Sequence, residues 1–201
     1  MPSMNNLSKR DLKHSTWRQK RQWAHEGLSE ARNFIYLATG IFFVGILTGA
    51  VYPELFGVVY ETVAETLRYR FEDKGTWLTI VLLFVQNAAV AFASILLGLL
   101  LGLVPIFSAA ANGVVVGVLF SVAASSGQLY GLWKLLPHGV FELPAIFTAW
   151  GLGLWHGAWI FRRDKGETLG NRRRKAFLVL FLYILPLLII AAIIEGLLAT
   201  L

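Results

Sequence analysis

From Gly75 to Trp133 the chain carries no Asp, Glu, Lys, Arg or His. A bilayer core takes about 20 apolar residues as a helix, so an uncharged run this long has to cross twice. Phe34 to Tyr52 forms another apolar run, as does Leu135 to Phe161, which is broken only by His138, Glu142 and His156. Ala176 to Ile194 forms the last. None of these runs alternates polar and apolar residues as barrel strands do. The expected fold is an all-α membrane protein, a compact bundle of five transmembrane helices over roughly residues 34–52, 77–103, 106–126, 138–161 and 176–198. A basic segment, 1–33, precedes that domain. With 56% hydrophobic and only 15% charged residues, the chain falls well short of the quarter or so of charged residues in an average soluble domain.

The basic residues predict an orientation. Lys9, Arg10, Lys13, Arg18, Lys20, Arg21 and Arg32 precede the first span, and Arg162, Arg163, Lys165, Arg172, Arg173, Arg174 and Lys175 lie between the fourth and fifth. Together they are most of the 18 Lys and Arg. Five crossings put both groups on one face, and the positive-inside rule makes that face cytoplasmic and the C-terminus external. The net charge of +6 then reads as a topology signal and as attraction to lipid headgroups. No nucleic-acid-binding motif accompanies it. The first apolar run begins only after residue 33, too late for a cleavable signal peptide. The absence of cysteine rules out disulfides, thiolate catalysis and cysteine metal sites.

Two amphipathic stretches flank the first span. Leu12, Trp17, Trp23, Leu28 and Ala31 stand among basic residues, which predicts a helix lying in the inner interface before the chain turns into span one. Leu55, Val59, Val63, Leu67 and Phe71 recur every four residues and predict an amphipathic helix on the outer surface. Within the spans, Gly45 and Gly49, Gly98 and Gly102, Gly113 and Gly117, and Gly153 and Gly157 are each spaced by four. Small residues at that spacing let helix backbones approach closely in lipid. Packing within the bundle is the expected use, and contact between copies in a homo-oligomer the alternative. The uncharged connection near Val104 and Pro105 is either a hairpin or a re-entrant segment.

Ionisable groups within a span cost roughly 2.5–3.5 kcal/mol or more at the membrane centre, so they ordinarily have a partner or a task. His138 falls at the outer end of the fourth span, with Glu142 about 6 Å deeper on the same face. Asn87 is about 15 Å into the second span, and Glu195 is near the outer end of the fifth. These four can share one polar patch. Asn112 falls on the other side of the midplane and belongs elsewhere unless the hairpin is re-entrant. Pro137 and Pro144 bracket the His138–Glu142 pair, and Pro144 has no N–H for the carbonyl of Val140, which favours a small hydrated pocket there. His and Glu four apart can ligate a metal, relay a proton or activate a water, or simply lock adjacent helices with Asn87. A lone H-x-x-x-E lacks the third ligand and the nucleophile an enzyme needs. No H-E-x-x-H, G-x-S-x-G or P-loop is present.

The block LPHGVFELPAI, with Asn87, the Asn112-Gly113 pair and the glycine-rich ASILLGLLLGLVP before it, resembles the stage II sporulation protein M family of integral membrane proteins. The Leu-Pro-His-Gly-x-Phe-Glu block is that family's distinguishing motif, and the likeness covers roughly Trp77 to Phe161. Trp150, Trp155 and His156 depart from it, standing where smaller or less aromatic residues are expected. The resemblance implies a polytopic protein of the cytoplasmic membrane. In spore formers the namesake works in an envelope complex with a peptidoglycan-degrading amidase and a lytic transglycosylase. Other members come from organisms that make no spores.

The expected function is therefore a non-enzymatic scaffold or anchor for a cell-envelope complex. A small channel or transporter using the His138, Glu142 and Asn87 pocket is one alternative. A metal-dependent intramembrane hydrolase, with His138 and Glu142 as candidate ligands, is another. The sequence requires no cofactor. Its expected partners are the lipid bilayer and other membrane or envelope proteins, with no nucleic acid among them.

Overall fold

The computed structural model describes residues 15–58, 61–62, 65, 75–127, 136–160 and 168–198. Five long helices account for nearly all of them: α1 (Trp17–Val51), α2 (Thr76–Leu97), α3 (Leu103–Ser125), α4 (Leu136–Gly157) and α5 (Leu169–Leu198). There is no strand among the described residues. Four helices, α1, α2, α3 and α5, are long and apolar enough to cross a membrane. α4, diluted by His138, Glu142, two prolines and several glycines, falls short of that apolarity. It meets every other long helix, and all residues from Ala149 to Gly157 are buried. A segment covered in this way needs no lipid-facing apolar surface, whereas the first half of α4 still exposes Val140, Leu143 and Pro144.

α1 begins with a reciprocal cap, in which the Thr16 hydroxyl accepts from the Gln19 backbone N–H and the Gln19 side chain accepts from the Thr16 N–H. It then runs 35 residues without interruption. The interfacial helix expected to turn into span one is thus continuous with it. Nothing between Trp17 and Val51 breaks the backbone ladder, since there is no proline. Trp23, Ala24, Gly27 and Ala31 recur at helical spacing and are buried, so two of the residues expected to face lipid headgroups, Trp23 and Ala31, are met by protein, while Trp17 stays exposed. A Cβ added at Gly27 would stand 3.0 Å from the Cβ of Lys175 on α5. The outer-surface helix expected around residues 54–75 lies for most of its length outside the described residues, which show a short 3-10 turn at Pro53–Phe56.

The glycine pairs interlock two by two. A Cβ at Gly49 would fall on the carbonyl of Val114, one at Gly113 on that of Phe42 and one at Gly117 on that of Ile46. α1 and α3 therefore meet backbone to backbone. A Cβ at Gly98 would fall on the Gly153 carbonyl, one at Gly153 on the Ser94 carbonyl and one at Gly157 on the Gly98 carbonyl, which joins α2 to α4 in the same way. In both pairs the numbering rises together, so the helices are parallel. The connection between α2 and α3 is a tight turn in which Leu101 (φ 55°) and Gly102 (φ 73°) are left-handed. The second of these positions uses the freedom of a residue without Cβ.

α5 buries Arg172, Ala176, Leu180, Ile184, Leu188, Ala192 and Gly196, a stripe at steps of four. Each such step outruns a 3.6-residue turn by about 40°. A π-helical turn at Leu180–Ile184, with the Leu185 N–H donating to the Leu180 carbonyl, recovers part of that drift. Pro186, just beyond, has no N–H for the Leu182 carbonyl, so the usual ladder is already broken there.

Candidate functional site

Pro137 stands in the first turn of α4, where its missing N–H would have no partner in any case. Four residues apart on the same helix, His138 and Glu142 face one direction. α5 supplies Glu195 from its last turns, and α2 supplies Asn87 from its middle. A ring nitrogen of His138 and one carboxylate oxygen each from Glu142 and Glu195 lie within 4.8 Å of one another. The Asn87 side chain lies beside the Glu142 carboxylate, to which its amide can donate. His138 is 8% exposed, and its Nδ1 is buried without a hydrogen-bond partner. Next to Glu195, Gly196 packs directly on Ile80 of α2. That close approach carries Glu195 inward.

The expected patch of Asn87, His138, Glu142 and Glu195 is thus brought together. Asn112 is not part of it: its side chain is exposed on α3, and its amide donates back to the Ser108 carbonyl at 2.8 Å. Its neighbour Gly113 serves the α1–α3 contact. Pro144 is exposed within α4, and the Thr148 hydroxyl donates to its carbonyl at 2.7 Å. Val140, whose carbonyl Pro144 leaves without its usual donor, turns its side chain outward.

Below the polar residues α4 becomes apolar and closely packed. Ala145 and Ala149 are fully buried and Ile146 nearly so. Phe42 of α1 packs against Phe147 and Trp150, with ring centroids 5.1 and 6.0 Å away. A further turn along, a Cβ at Gly151 would collide with Ile35 of α1. Two adjacent carboxylates in such surroundings call for a positive partner, whether a shared proton or a cation.

A second polar cluster, at the opposite end of α4, escaped the sequence reading. His156 is fully buried, and its Nδ1 donates to the Ile95 carbonyl at 3.1 Å. Arg172 donates to the Trp155 carbonyl at 3.1 Å and lies over the Trp155 ring, 4.9 Å from its centroid. Lys175 reaches Glu30 at 2.7 Å. Both cations are only 3% exposed, which corrects the assignment of Arg172 and Lys175 to a basic loop facing lipid headgroups. The signal was available: Arg172, Lys175, Ala176 and Val179 repeat at 0, 3, 4 and 7, the pattern of one buried helix face. Trp155 and His156, which depart from the expected motif, are the residues this cluster uses.

The model of the family "Stage II sporulation protein M" matches residues 38–200. The chain belongs to the stage II sporulation protein M family. The match runs from the middle of α1 to beyond the end of α5, so it takes in both glycine-locked helix pairs and the whole His138–Glu142–Glu195 cluster. Glu26 and Glu30, the partners of buried Lys175, lie before the part of the chain that the family model covers. No curated protein and no solved structure matches the chain.

Proposed function

We propose that this family member is a non-enzymatic scaffold of the cytoplasmic membrane. In this reading α4 crosses as the fifth span inside a sheath of the other four. The N-terminus and the connection before α5 are cytoplasmic, the C-terminus is external, and the partners are other proteins of the cell envelope. The observation that carries the reading is the section of α4 from Ala149 to Gly157, buried on every side and locked backbone to backbone onto α2. Among the described residues, the polar cluster at one end of α4 and the His156–Arg172 cluster at the other are separated by the aromatic packing of Phe42, Phe147 and Trp150. A conducting pathway needs polar groups or water along its length, and this section offers apolar side chains and glycine contacts instead. A solid body of this kind suits holding partners in place.

Two measurements test this. In sealed vesicles the purified protein should pass protons and monovalent cations no faster than protein-free vesicles do. Extracted from its native membrane in mild detergent, it should migrate with an envelope protein at fixed stoichiometry. Rapid flux from a protein that purifies alone would favour the channel instead.

A further inference from the structure

We infer that His138, Glu142 and Glu195 form a binding site for one divalent first-row transition metal, of the zinc type, which ties the end of α5 to the start of α4. The sequence pair His138 and Glu142 offers two ligands, and the fold supplies the third. Glu195 comes from a different helix, and its carboxylate oxygen joins the other two donor atoms inside a 4.8 Å limit. Bonds of about 2.0–2.2 Å in tetrahedral geometry place ligand atoms about 3.3–3.6 Å apart, so the three need close by no more than about 1.5 Å. Rotation of two glutamate side chains accomplishes that. One imidazole with two carboxylates matches the borderline preferences of zinc, manganese or iron(II), whereas Cu(I) favours thiolate or thioether and Ca²⁺ favours an all-oxygen shell.

Two independent observations point the same way. His138 is more than nine-tenths buried and its Nδ1 has no hydrogen-bond partner, a deficit that ligation through Nδ1 removes. Asn87 lies beside the Glu142 carboxylate, outside the triad, where an outer partner can orient a ligating carboxylate. Charge closes as well: a dication, a neutral imidazole and two carboxylates sum to zero, which suits a site surrounded by apolar helices. The site is structural in this account, and it holds or fails independently of the scaffold reading because it is measured on the purified chain rather than through flux or partners.

The test uses the full chain without a polyhistidine tag, in detergent, with metal content measured after dialysis and thermal melts recorded in zinc and in chelator. The parent should retain about one zinc per chain, and its Tm should rise with zinc and fall with chelator. Glu195→Gln is nearly isosteric and should keep the helical circular dichroism while losing both the retained metal and the zinc-dependent Tm shift. His138→Gln should do the same, and if it fails to fold Glu195→Gln decides alone. Glu54→Gln, at an exposed carboxylate, should behave as the parent does. Retention of zinc by Glu195→Gln at the parental level would overturn the site. So would a parent that keeps no zinc and melts identically in zinc and chelator, the behaviour of a carboxyl pair sharing a proton.

Discussion

The ammonium of Lys175 lies 2.7 Å from a carboxylate oxygen of Glu30, and burial across this pair is unequal, the lysine side chain being 3% exposed and the glutamate 40%. Glu26 stands 3.9 Å away on the other side and is 30% exposed. Only the cation depends on its partners for solvation. Converting Glu26 and Glu30 together to Gln should therefore destabilise the protein by about 1–3 kcal/mol, because a buried charge loses two anionic partners. Lys175→Met should cost about 1 kcal/mol or less, since water can solvate both carboxylates once the lysine is gone. Thermal melts of the two variants in detergent give the order, and a lysine variant that is the weaker of the two would contradict it.

Glycine substitutions should divide by what a Cβ would strike. Gly153→Ala drives a methyl into the Ser94 carbonyl and should lower stability by about 1–3 kcal/mol. The double change Gly113→Leu with Gly117→Leu should do more, forcing α1 and α3 apart. At Gly40 a Cβ meets nothing within 4 Å, so Gly40→Ala should leave the Tm unchanged or slightly raised. Equal melting temperatures for Gly153→Ala and Gly40→Ala would remove the backbone contact between α2 and α4 as a source of stability.

Glu142 should separate shape from charge. In chelating buffer, Glu142→Gln keeps an acceptor for the Asn87 amide and should melt close to the parent. Glu142→Leu leaves that amide without its acceptor and should cost about 1–3 kcal/mol. If the leucine variant is as stable as the glutamine one, the Asn87 contact contributes nothing to holding α2 against α4.

The orientation is open to thiol labelling, because the parent has no cysteine. Ser3→Cys and Gly170→Cys should resist a membrane-impermeant reagent in intact cells and react after permeabilisation. Ser126→Cys, just past the end of α3, should react in both conditions. Labelling of the first two from outside would invert the topology.

Much of the bundle was legible in the sequence because the membrane demands continuous apolar helices, and each glycine pair at a spacing of four lies on one face by helix geometry alone. Which face meets which is a tertiary fact, and nothing local says that Gly45 and Gly49 answer Gly113 and Gly117. The candidate site divides the same way. The i, i+4 geometry of His138 and Glu142 is local. The inward turn of Glu195 depends on the π-helical turn at Leu180–Ile184, which shifts the facing of every later residue of α5. Pro186 hints at a break but does not fix its type. The burial of Arg172 and Lys175 is masked by the basic run around them, where charge ordinarily means a solvated face, although Ala176 and Val179 complete a buried stripe with them.

The pairing of α1 with α3 and of α2 with α4 bears on how the chain is made. The helices locked backbone to backbone by glycine are not neighbours in sequence, so the first to leave the ribosome lacks its glycine-matched partner until the third emerges, and the second until the fourth. A half-finished chain would leave its grooves filled by lipid or by a chaperone of insertion. Truncation after any early helix strands at least one small-residue face, and the protein therefore has no smaller segment that is complete in itself.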